Sequence, residues 1–375
     1  MKKRIISAVT AAAIALTLSA YALAAGAGGA KYINTRAIAS NLSYANTVYW
    51  NDAYGREESY ALRCVPGGDA YPIVAKDDTV YGGVTIGGAT AYAGSVGKNV
   101  LAAINADFFS TATGVPLGMV IEDGIYKSSP EGETAVAFRA DGTAFFSESP
   151  RIVMTLTNNG DGLENANAGK TSAVTHLNKM RHDVGGMYMF SEAFSTVSTR
   201  ATTPGWYVRF EILEGALTVE GEMKLVVTEA AQSEGAVTIG EGNLVLTASG
   251  APEENFQKYA VGDYVTLTTT CDNVNLREAR WATGGGDIIV KDGVVSDFSQ
   301  WDKALLVRSP KTALGVTADG TVLAYVIDGR DTTYANGVTL FELADELIAQ
   351  GCVTAINLDG GGSSAMSVRL PGTGA

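Results

Sequence analysis

The chain has 375 residues and a formal net charge of −13 at pH 7. This length suits one large domain or two smaller ones. The acidic charge argues against nucleic acid as a partner and is typical of a soluble exported protein. Three cysteines are too few for a disulfide framework and leave at least one thiol unpaired. Two histidines disfavour Ser-His-Asp catalysis and histidine-rich zinc sites.

The first 25 residues have the pattern of a secretory signal peptide. Cations at positions 2–4 precede an apolar segment that runs from Ile5 to about Leu23, and Ala22-Leu23-Ala24 fits a small-x-small cleavage site. An uncleaved membrane anchor is the alternative. No later segment approaches the ~18 apolar residues that cross a bilayer. We therefore expect a secreted or cell-surface protein that has no membrane partner after cleavage.

The rest of the chain has the pattern of a β-rich protein. Residues 26–59 are rich in Gly, Ala, Asn and Tyr and are interpreted as an N-terminal arm that leads into strands. A single domain is then predicted over 60–375, with a Thr/Val-rich β insertion at 151–280. Asp-Gly pairs flanked by β-forming residues predict four hairpins. These pairs are Asp123-Gly124, Asp141-Gly142, Asp292-Gly293 and Asp319-Gly320.

The most informative stretch begins with the last of these hairpins. If Asp319-Gly320 is a two-residue turn, Lys311 lies opposite Asp328 at the far end of the hairpin. The second strand, from Val322 to Ile327, then ends at Asp328-Gly329-Arg330. The hairpin therefore predicts a cation and a carboxylate side by side.

A helix and a buried strand are predicted next. Thr339 and Glu342 have capping-box spacing, and Gly351 ends the helical pattern. Glu342 is therefore interpreted as a cap rather than a catalyst. The apolar run from Val353 to Leu358 predicts a buried strand. Strand, helix and strand form a crossover, so the two strands should be parallel and close in the sheet.

Together these elements predict an α+β fold: a β-rich mixed sheet, a C-terminal β-hairpin/βαβ unit that carries the site, and a β-rich insertion. The carboxyl ends of parallel strands meet at one edge, which ligands favour. We expect Asp328, Arg330, Lys311 and Asp359 to meet there, beside the amides of Gly360–Gly362, which can cradle an anion. A plain tight turn and a chance meeting of charges are the alternatives.

A second pair of polar residues ends another apolar strand. Asn105 and Asp107 follow the run that begins at Val100, and their equal parity puts both side chains on one face of an extended chain. This pattern indicates a site. A pair of turn-forming residues is the alternative.

The motifs around these residues resemble those of the phosphodiester glycosidases. Matching blocks run from about residue 100 to the end of the chain, with a weaker β-rich middle. The C-terminal block is specific, whereas an isolated Gly-Gly-Gly is not. The blocks are Ile104–Phe109, Gly114–Gly118, Gly284–Asp287, Thr312–Gly315, Asp328–Arg330, Gly337–Ala344 and Ala355–Ser363.

Two departures from the family pattern stand out. The family usually has arginine where this chain has Lys311. Lysine keeps the charge but lacks the planar fork that binds phosphate with two hydrogen bonds. Relatives also usually continue beyond the position of Ser364 for longer than this chain does. We therefore expect that a strand that closes the site is missing from this sequence.

The resemblance implies hydrolysis of a sugar-1-phosphodiester, such as a GlcNAc-1-phosphodiester, to free sugar and a phosphomonoester. The implied partner is a phosphorylated glycan or cell-wall polymer. Our hypothesis assigns the carboxylate role to Asp359 or Asp328. It assigns sugar hydroxyls or the water to Asn105 and Asp107. The predicted phosphate- and substrate-binding residues are Lys311, Thr312, Arg330, Gly360, Gly361, Gly362 and Ser363.

Two rival functions stay open at this point. One is a non-catalytic exported module that binds a phosphate-containing wall polymer or exopolysaccharide, which the Lys311 departure favours. The other is a phosphodiesterase that cuts the P–O bond, a reaction that normally uses a metal. The glycosidase chemistry requires no cofactor. A bound Ca²⁺ among the carboxylates is an alternative, although no oxygen-ligand loop of recognisable spacing occurs.

Overall fold

A computed structural model describes most of the chain beyond the predicted signal peptide, which lies outside the described residues. None of the helices in this described part is long and apolar enough to cross a membrane. The chain divides into two compact units. The discontinuous unit comprises residues up to Ala70 and from Ile288 onward, and the continuous unit is Tyr71–Asp287. The described residues are 29–132, 134–161, 166–182, 185–248, 253–297, 301 and 306–372.

Strands dominate both units, as the sequence predicts. In chain order they are β1 (Gly29–Ala39), β2 (Leu42–Asn51), β3 (Gly55–Cys64), β4 (Ala102–Ile104), β5 (Val120–Glu122), β6 (Ile125–Ser128), β7 (Ala135–Phe138), β8 (Ala144–Ser147), β9 (Ile152–Gly160), β10 (Thr171–Val174), β11 (His176–Leu177), β12 (Met187–Ser191), β13 (Gly205–Glu214), β14 (Gly221–Ser233), β15 (Asn243–Ala248), β16 (Tyr264–Cys271), β17 (Trp281–Gly284), β18 (Ile288–Lys291), β19 (Val294–Val295), β20 (Lys311–Thr317), β21 (Val322–Ile327), β22 (Cys352–Asn357) and β23 (Met366–Val368). Among the described residues, the α-helices with defined bounds are α1 (Ile86–Ser95), α2 (Val274–Arg277) and α3 (Leu340–Ala349).

An eight-stranded sheet forms the discontinuous unit, in the order β1-β2-β3-β21-β20-β22-β18-β19. Residues 29–59, part of the predicted arm, form β1, β2 and the start of β3. Strand β20 is antiparallel to both β21 and β22, so these two strands run in the same direction with one strand between them. The prediction that they are parallel and close is confirmed. The prediction of a mixed sheet is wrong here, because β20 inserts between them and every hydrogen-bonded pair is antiparallel.

Helix α3 covers one face of this sheet. The predicted capping box is present: Thr339 caps the helix and the Glu342 carboxylate accepts the Thr339 N–H at 2.8 Å. Leu343 and Leu347 pack into a core with residues of β20, β21 and β22. Glu346 is also buried on this face, where the hydroxyls of Tyr49 and Tyr325 donate to it at 2.7 and 2.8 Å.

The β20–β21 hairpin has a different register from the predicted one. Lys311 pairs with Ile327 rather than Asp328. The cause is the turn, in which the Gly320 N–H donates to the Thr317 carbonyl at 2.9 Å and the Thr317 N–H donates to the Thr321 carbonyl at 3.0 Å. Gly320 takes a left-handed φ of 84°, which gives a three-residue loop. A one-residue shift puts neighbouring side chains on opposite faces, so the predicted Lys311–Asp328 pair is wrong.

The continuous unit contains an eight-stranded sheet and a five-stranded sheet. The larger one has the order β10-β9-β16-β14-β13-β15-β12-β11, and its strands lie between residues 152 and 271. Its β11–β12 pair is parallel. The smaller one has the order β6-β5-β17-β7-β8. The coarse class is therefore a β-rich α+β fold, and the predicted domain boundaries stay a prediction.

Candidate functional site

Asp359 lies just beyond β22, at the start of a glycine turn. Gly361–Ser363 forms one turn of 3-10 helix. The Ser363 hydroxyl and the Gly360 N–H donate to the Asp359 carboxylate. Burial raises the pKa of Asp359, and these two hydrogen bonds offset part of the rise. The turn thus fixes a half-buried carboxylate at the end of the strand.

Lys311 runs along the same turn from the first position of β20. It is only 7% exposed, and a Cβ placed on Gly360 would lie 3.9 Å from its Cδ. Burial, with a contribution from the positive charge of Arg330, lowers the pKa of Lys311 to about 8. Both effects disfavour the charged ammonium of Lys311. An anion bound beside it would favour the charged form and would itself be stabilised by it.

Arg330 reaches the turn from the end of β21. A Cβ placed on Gly361 would lie 2.8 Å from its Nη2, so the guanidinium rests against that glycine. The Arg330 backbone has a left-handed φ of 64°, an uncommon conformation for a residue with a side chain. Within the described part of the chain, no carboxylate forms an ion pair with Arg330.

Pro310 joins the two segments that carry these charges. Its carbonyl accepts the Gly361 N–H at 2.9 Å, and its nitrogen would lie 2.8 Å from a Cβ on Gly329. The same Cβ would lie 2.7 Å from Cα of Gly337. Only glycine therefore fits between Asp328 and Arg330. We call the group formed by Lys311, Arg330, Asp359 and Gly360–Gly362 the cationic rim.

The predicted anion cradle is smaller than expected. The Gly360 amide binds the Asp359 carboxylate, and the Gly361 amide binds the Pro310 carbonyl. The expectation that all three amides face an anion is therefore wrong, because the turn uses two of them to hold itself together. Gly362 is exposed, and a Cβ placed on it would meet no atom within 4 Å. Its amide is the one left for a ligand.

Asn357 adds a polar group next to the rim. It lies opposite Ala313 in the strand pairing, on the face of the sheet that carries Lys311. Although it is 5% exposed, its Oδ1 has no hydrogen-bond partner among the described residues. A buried amide oxygen of this kind needs a donor from water or a ligand.

Asp328 faces a cleft rather than the rim. Its N–H donates to the Glu58 carbonyl at 2.9 Å, and its Oδ1 accepts the Gly329 N–H at 2.9 Å. The cleft has a volume of about 450 Å³. Its walls include Tyr44, Tyr60, Asp328, Ser364, Met366 and Val368. We call it the aromatic cleft.

Hydrogen bonds of Thr312, Ser363 and Ser364 link the cationic rim with the aromatic cleft. The Thr312 hydroxyl donates to Ser364 Oγ at 3.2 Å, and Thr312 itself is buried. Ser364 lines the aromatic cleft, whereas Ser363 binds Asp359 in the rim. The predicted contact of Thr312 and Ser363 with substrate stays a prediction. Their hydrogen bonds indicate that they also position the turn.

The loop that carries Arg330 rests on a buried charge network. Glu57 accepts the Gly337 N–H at 2.8 Å and lies 3.4 Å from the Arg308 guanidinium. Arg308 also binds Glu342 and the Gly337 carbonyl. Burial raises the pKa of Glu57 to about 7. Sequence reasoning missed Glu57 because its partners are some 250 to 280 residues away.

Asn105 and Asp107 lie in the continuous unit, just after β4. The Asp107 carboxylate accepts the Gly118 N–H at 2.8 Å. Gly118 in turn packs against Gly284, since a Cβ on Gly118 would lie 2.3 Å from its Cα. These contacts give Asp107 a structural role, and the predicted role of both residues toward sugar or water stays a prediction. No cluster of three metal-ligating side chains occurs among the described residues.

The comparisons with known proteins agree with the predicted family. Residues 215–374 match the family model described as phosphodiester glycosidase. The chain is 30% identical over 141 residues to N-acetylglucosamine-1-phosphodiester alpha-N-acetylglucosaminidase of Mus musculus, which covers 34% of this chain and 27% of that protein. It is 38% identical over 93 residues to the SPbeta prophage-derived uncharacterized protein YomE of Bacillus subtilis, or 24% of this chain and 14% of that protein.

The chain therefore spans well under two thirds of either curated relative. A solved structure, that of a hypothetical protein from Synechocystis, has the same fold with a TM-score of 0.68 and 18% identity, and covers 90% of this chain and 59% of that chain. The resemblance predicted from the motifs around Asp328 and Asp359 is thus confirmed over residues 215–374, which match the phosphodiester glycosidase family model.

Proposed function

We propose that this protein is an exported glycosidase that hydrolyses sugar-1-phosphodiesters to free sugar and a phosphomonoester. The observation that carries the proposal is the cationic rim, where Lys311 and Arg330 meet beside Asp359. The name of the mouse relative supports a GlcNAc-1-phosphodiester as the first substrate to test. Export rests on the sequence pattern of residues 1–25.

The charge distribution of the rim fits a phosphodiester. Two neighbouring cations repel each other, and burial of Lys311 adds to the cost of its charge. A bound phosphodiester anion would relieve both effects. Arg330 would present its guanidinium to the phosphate oxygens, and the exposed Gly362 amide would add one hydrogen bond.

The reaction needs little acid catalysis. A phosphomonoester has a second pKa near ~6, so it departs from the anomeric carbon without the proton that a sugar leaving group needs. Water supplies the oxygen that joins the anomeric carbon, and the bond from that carbon to the phosphate oxygen breaks with its electron pair on the phosphate. The rim cations would stabilise the charge that develops there.

Asp359 is our choice for the carboxylate that acts at the anomeric carbon. It lies in the rim with the cations, whereas Asp328 faces the aromatic cleft. The register of the β20–β21 hairpin separates Asp328 from Lys311, which supports this division. Asp328 is then free to bind sugar hydroxyls.

The test is a screen of sugar-1-phosphodiesters, including GlcNAc-1-phosphodiesters, read out by released reducing sugar. Asp359→Asn should abolish release while the fold stays intact. Asp345→Asn is the matched control, since this exposed carboxylate lies on helix α3 and is not one of the rim residues. A protein that retains a phosphate-containing polymer but releases no sugar from any substrate would instead be a binding module.

A further inference from the structure

The aromatic cleft has a chemical character unlike that of the cationic rim. Its lining includes the aromatic rings of Tyr44 and Tyr60 and apolar side chains such as Met366 and Val368. Among the described residues that line it, Asp328 is the only one with a formal charge. A cleft without a cation does not suit phosphate, so a different part of a ligand must occupy it.

The two tyrosines are brought together by strand register. Tyr60 in β3 lies directly opposite Asn46 in β2 and Val326 in β21. Tyr44 is two residues from Asn46 and therefore points to the same face. Both rings are partly exposed. The sheet thus presents adjacent aromatic rings on the face opposite helix α3.

The charges around the tyrosines are mainly negative. Burial, followed by a hydrogen bond to Tyr334 and the charges of Glu58 and Asp328, raises the pKa of Tyr60. Glu58 is itself held by Arg56. Another cation, Arg36 on β1, lies opposite Tyr44 at an exposed position. Asp328 would repel a ligand carboxylate beside Tyr60, whereas ligand hydroxyl groups could donate hydrogen bonds to the Asp328 carboxylate.

Two short stretches of chain connect the cleft with the rim. Asp328 in the cleft is two residues from Arg330, whose guanidinium rests against Gly361. Ser364 in the cleft follows Ser363, which binds Asp359. A ligand that crosses this end of the sheet can therefore have its phosphate in the rim and its next group in the cleft.

We propose that Tyr44, Tyr60 and Asp328 form the sugar-binding subsite and select an uncharged pyranose over an acidic one. A pyranose has an apolar C–H face that packs on aromatic rings and a rim of hydroxyls that donate to a carboxylate. A volume of about 450 Å³ accommodates one such ring with room for a substituent. Tyr44 and Tyr60 lie in the N-terminal strands, outside the family match at 215–374, whereas Asp328 lies within it.

This inference rests on the proposed function, and steady-state kinetics test it. The substrates are N-acetylglucosamine and glucuronate 1-phosphodiesters with the same aglycone. We expect the unmodified protein to prefer the uncharged sugar at least about tenfold in kcat/KM. Tyr44→Ala should raise KM for that sugar about tenfold, with kcat changed less than about threefold. Asp328→Asn should narrow the preference for the uncharged sugar.

The control variant is Tyr32→Ala, an exposed tyrosine on β1 that does not line the cleft. It should leave both constants unchanged. If Tyr44→Ala changes KM only when the aglycone is made larger, the cleft holds the aglycone and the inference is wrong. Equal turnover of the two sugars by the unmodified protein would also overturn it.

Direct binding separates this inference from the proposed function. Calorimetry with free N-acetylglucosamine, glucose and glucuronate needs no turnover. At least one uncharged sugar should bind, glucuronate should bind more weakly, and Tyr44→Ala should weaken the uncharged sugar about tenfold. Turnover without such binding differences would leave the glycosidase proposal standing and remove the subsite. Binding with these differences but without turnover would support the subsite and contradict the glycosidase proposal.

Discussion

The cationic rim and the aromatic cleft lie at the same end of one sheet but differ in charge and in how they are held. Two cations and a carboxylate surround a glycine turn in the rim, and Lys311 there is largely buried. The cleft has partly exposed tyrosines and the single carboxylate of Asp328. The difference indicates that the rim binds the charged part of a ligand and the cleft its uncharged part.

The largest expected effect separates the two carboxylates. Asp359→Asn should lower kcat by about a thousandfold or more, because it removes the carboxylate that acts at the anomeric carbon. Asp328→Asn should lower kcat/KM by about tenfold to a hundredfold, mostly through a higher KM. Steady-state rates of sugar release measure both. Equal losses, or a larger loss for Asp328→Asn, would contradict the division between rim and cleft.

A second effect separates two adjacent glycines of the rim. Gly361→Ala places a methyl group 2.8 Å from Arg330 Nη2 at a left-handed φ of 61°, so it should displace the guanidinium and lower kcat/KM by about a hundredfold. The methyl group of Gly362→Ala would have no atom within 4 Å, and the residue keeps its amide. This variant should therefore lower kcat/KM far less. A comparable loss in both variants would mean that Arg330 does not bind the phosphate.

The pH dependence sharpens the role of Lys311. Phosphate binding needs its charged ammonium, which is present below its lowered pKa of about 8 and lost as pH rises through that value. The ionised Asp359 carboxylate forms only above its raised pKa. A plot of kcat/KM against pH should therefore rise on the acid side and fall near pH 8.

Lys311→Arg provides the matched test of that fall. Arginine stays charged above pH 12, so the alkaline limb should move upward by more than about two pH units while activity at pH 7 stays within about tenfold. The family usually has arginine at this position, which favours tolerance of the change. A fall that stays near pH 8 in Lys311→Arg would assign it to another group.

The smallest expected effect concerns the support of the rim. The pKa of Glu57 is raised to about 7, so the protonated form favours folding; that contribution is full below the ordinary value of 4.5 and is lost as pH rises through 7. Glu57→Gln mimics the protonated form. As pH rises from 5 to 8, the unfolding free energy of this variant should increase by roughly 1 to 3 kcal/mol relative to that of the unmodified protein. Thermal unfolding at several pH values measures the trend, and a trend of opposite sign would contradict it.

Local signals predicted much of the fold. The capping box of α3 and its terminal glycine depend on neighbouring residues and were predicted correctly. All four Asp-Gly pairs also lie in hairpin turns. Asp292 and Gly293 both have positive φ and form a two-residue turn, whereas Asp319-Gly320 lies in a three-residue loop with only the glycine at positive φ. The dipeptide alone does not distinguish these turns, so the register of Lys311 was predicted wrongly.

Distant pairing accounts for what the sequence did not reveal. Tyr60 lies opposite Val326 across more than 260 residues of chain, and no local pattern predicts that pairing. A signal for the strands was present, because Leu42–Asn51 is rich in aromatic and β-branched residues and precedes a turn. That signal predicts a hairpin, but only the pairing of β3 with β21 brings Tyr44 and Tyr60 beside Asp328.

The most direct test of the central claim is to find which bond is cleaved. A sugar-1-phosphodiester turned over in ¹⁸O-labelled water should yield labelled sugar and unlabelled phosphomonoester, as analysed by mass spectrometry, because water joins the anomeric carbon. Asp359→Asn should yield neither product. Label in the phosphomonoester would show cleavage of the P–O bond and contradict the assignment of Asp359 to the anomeric carbon.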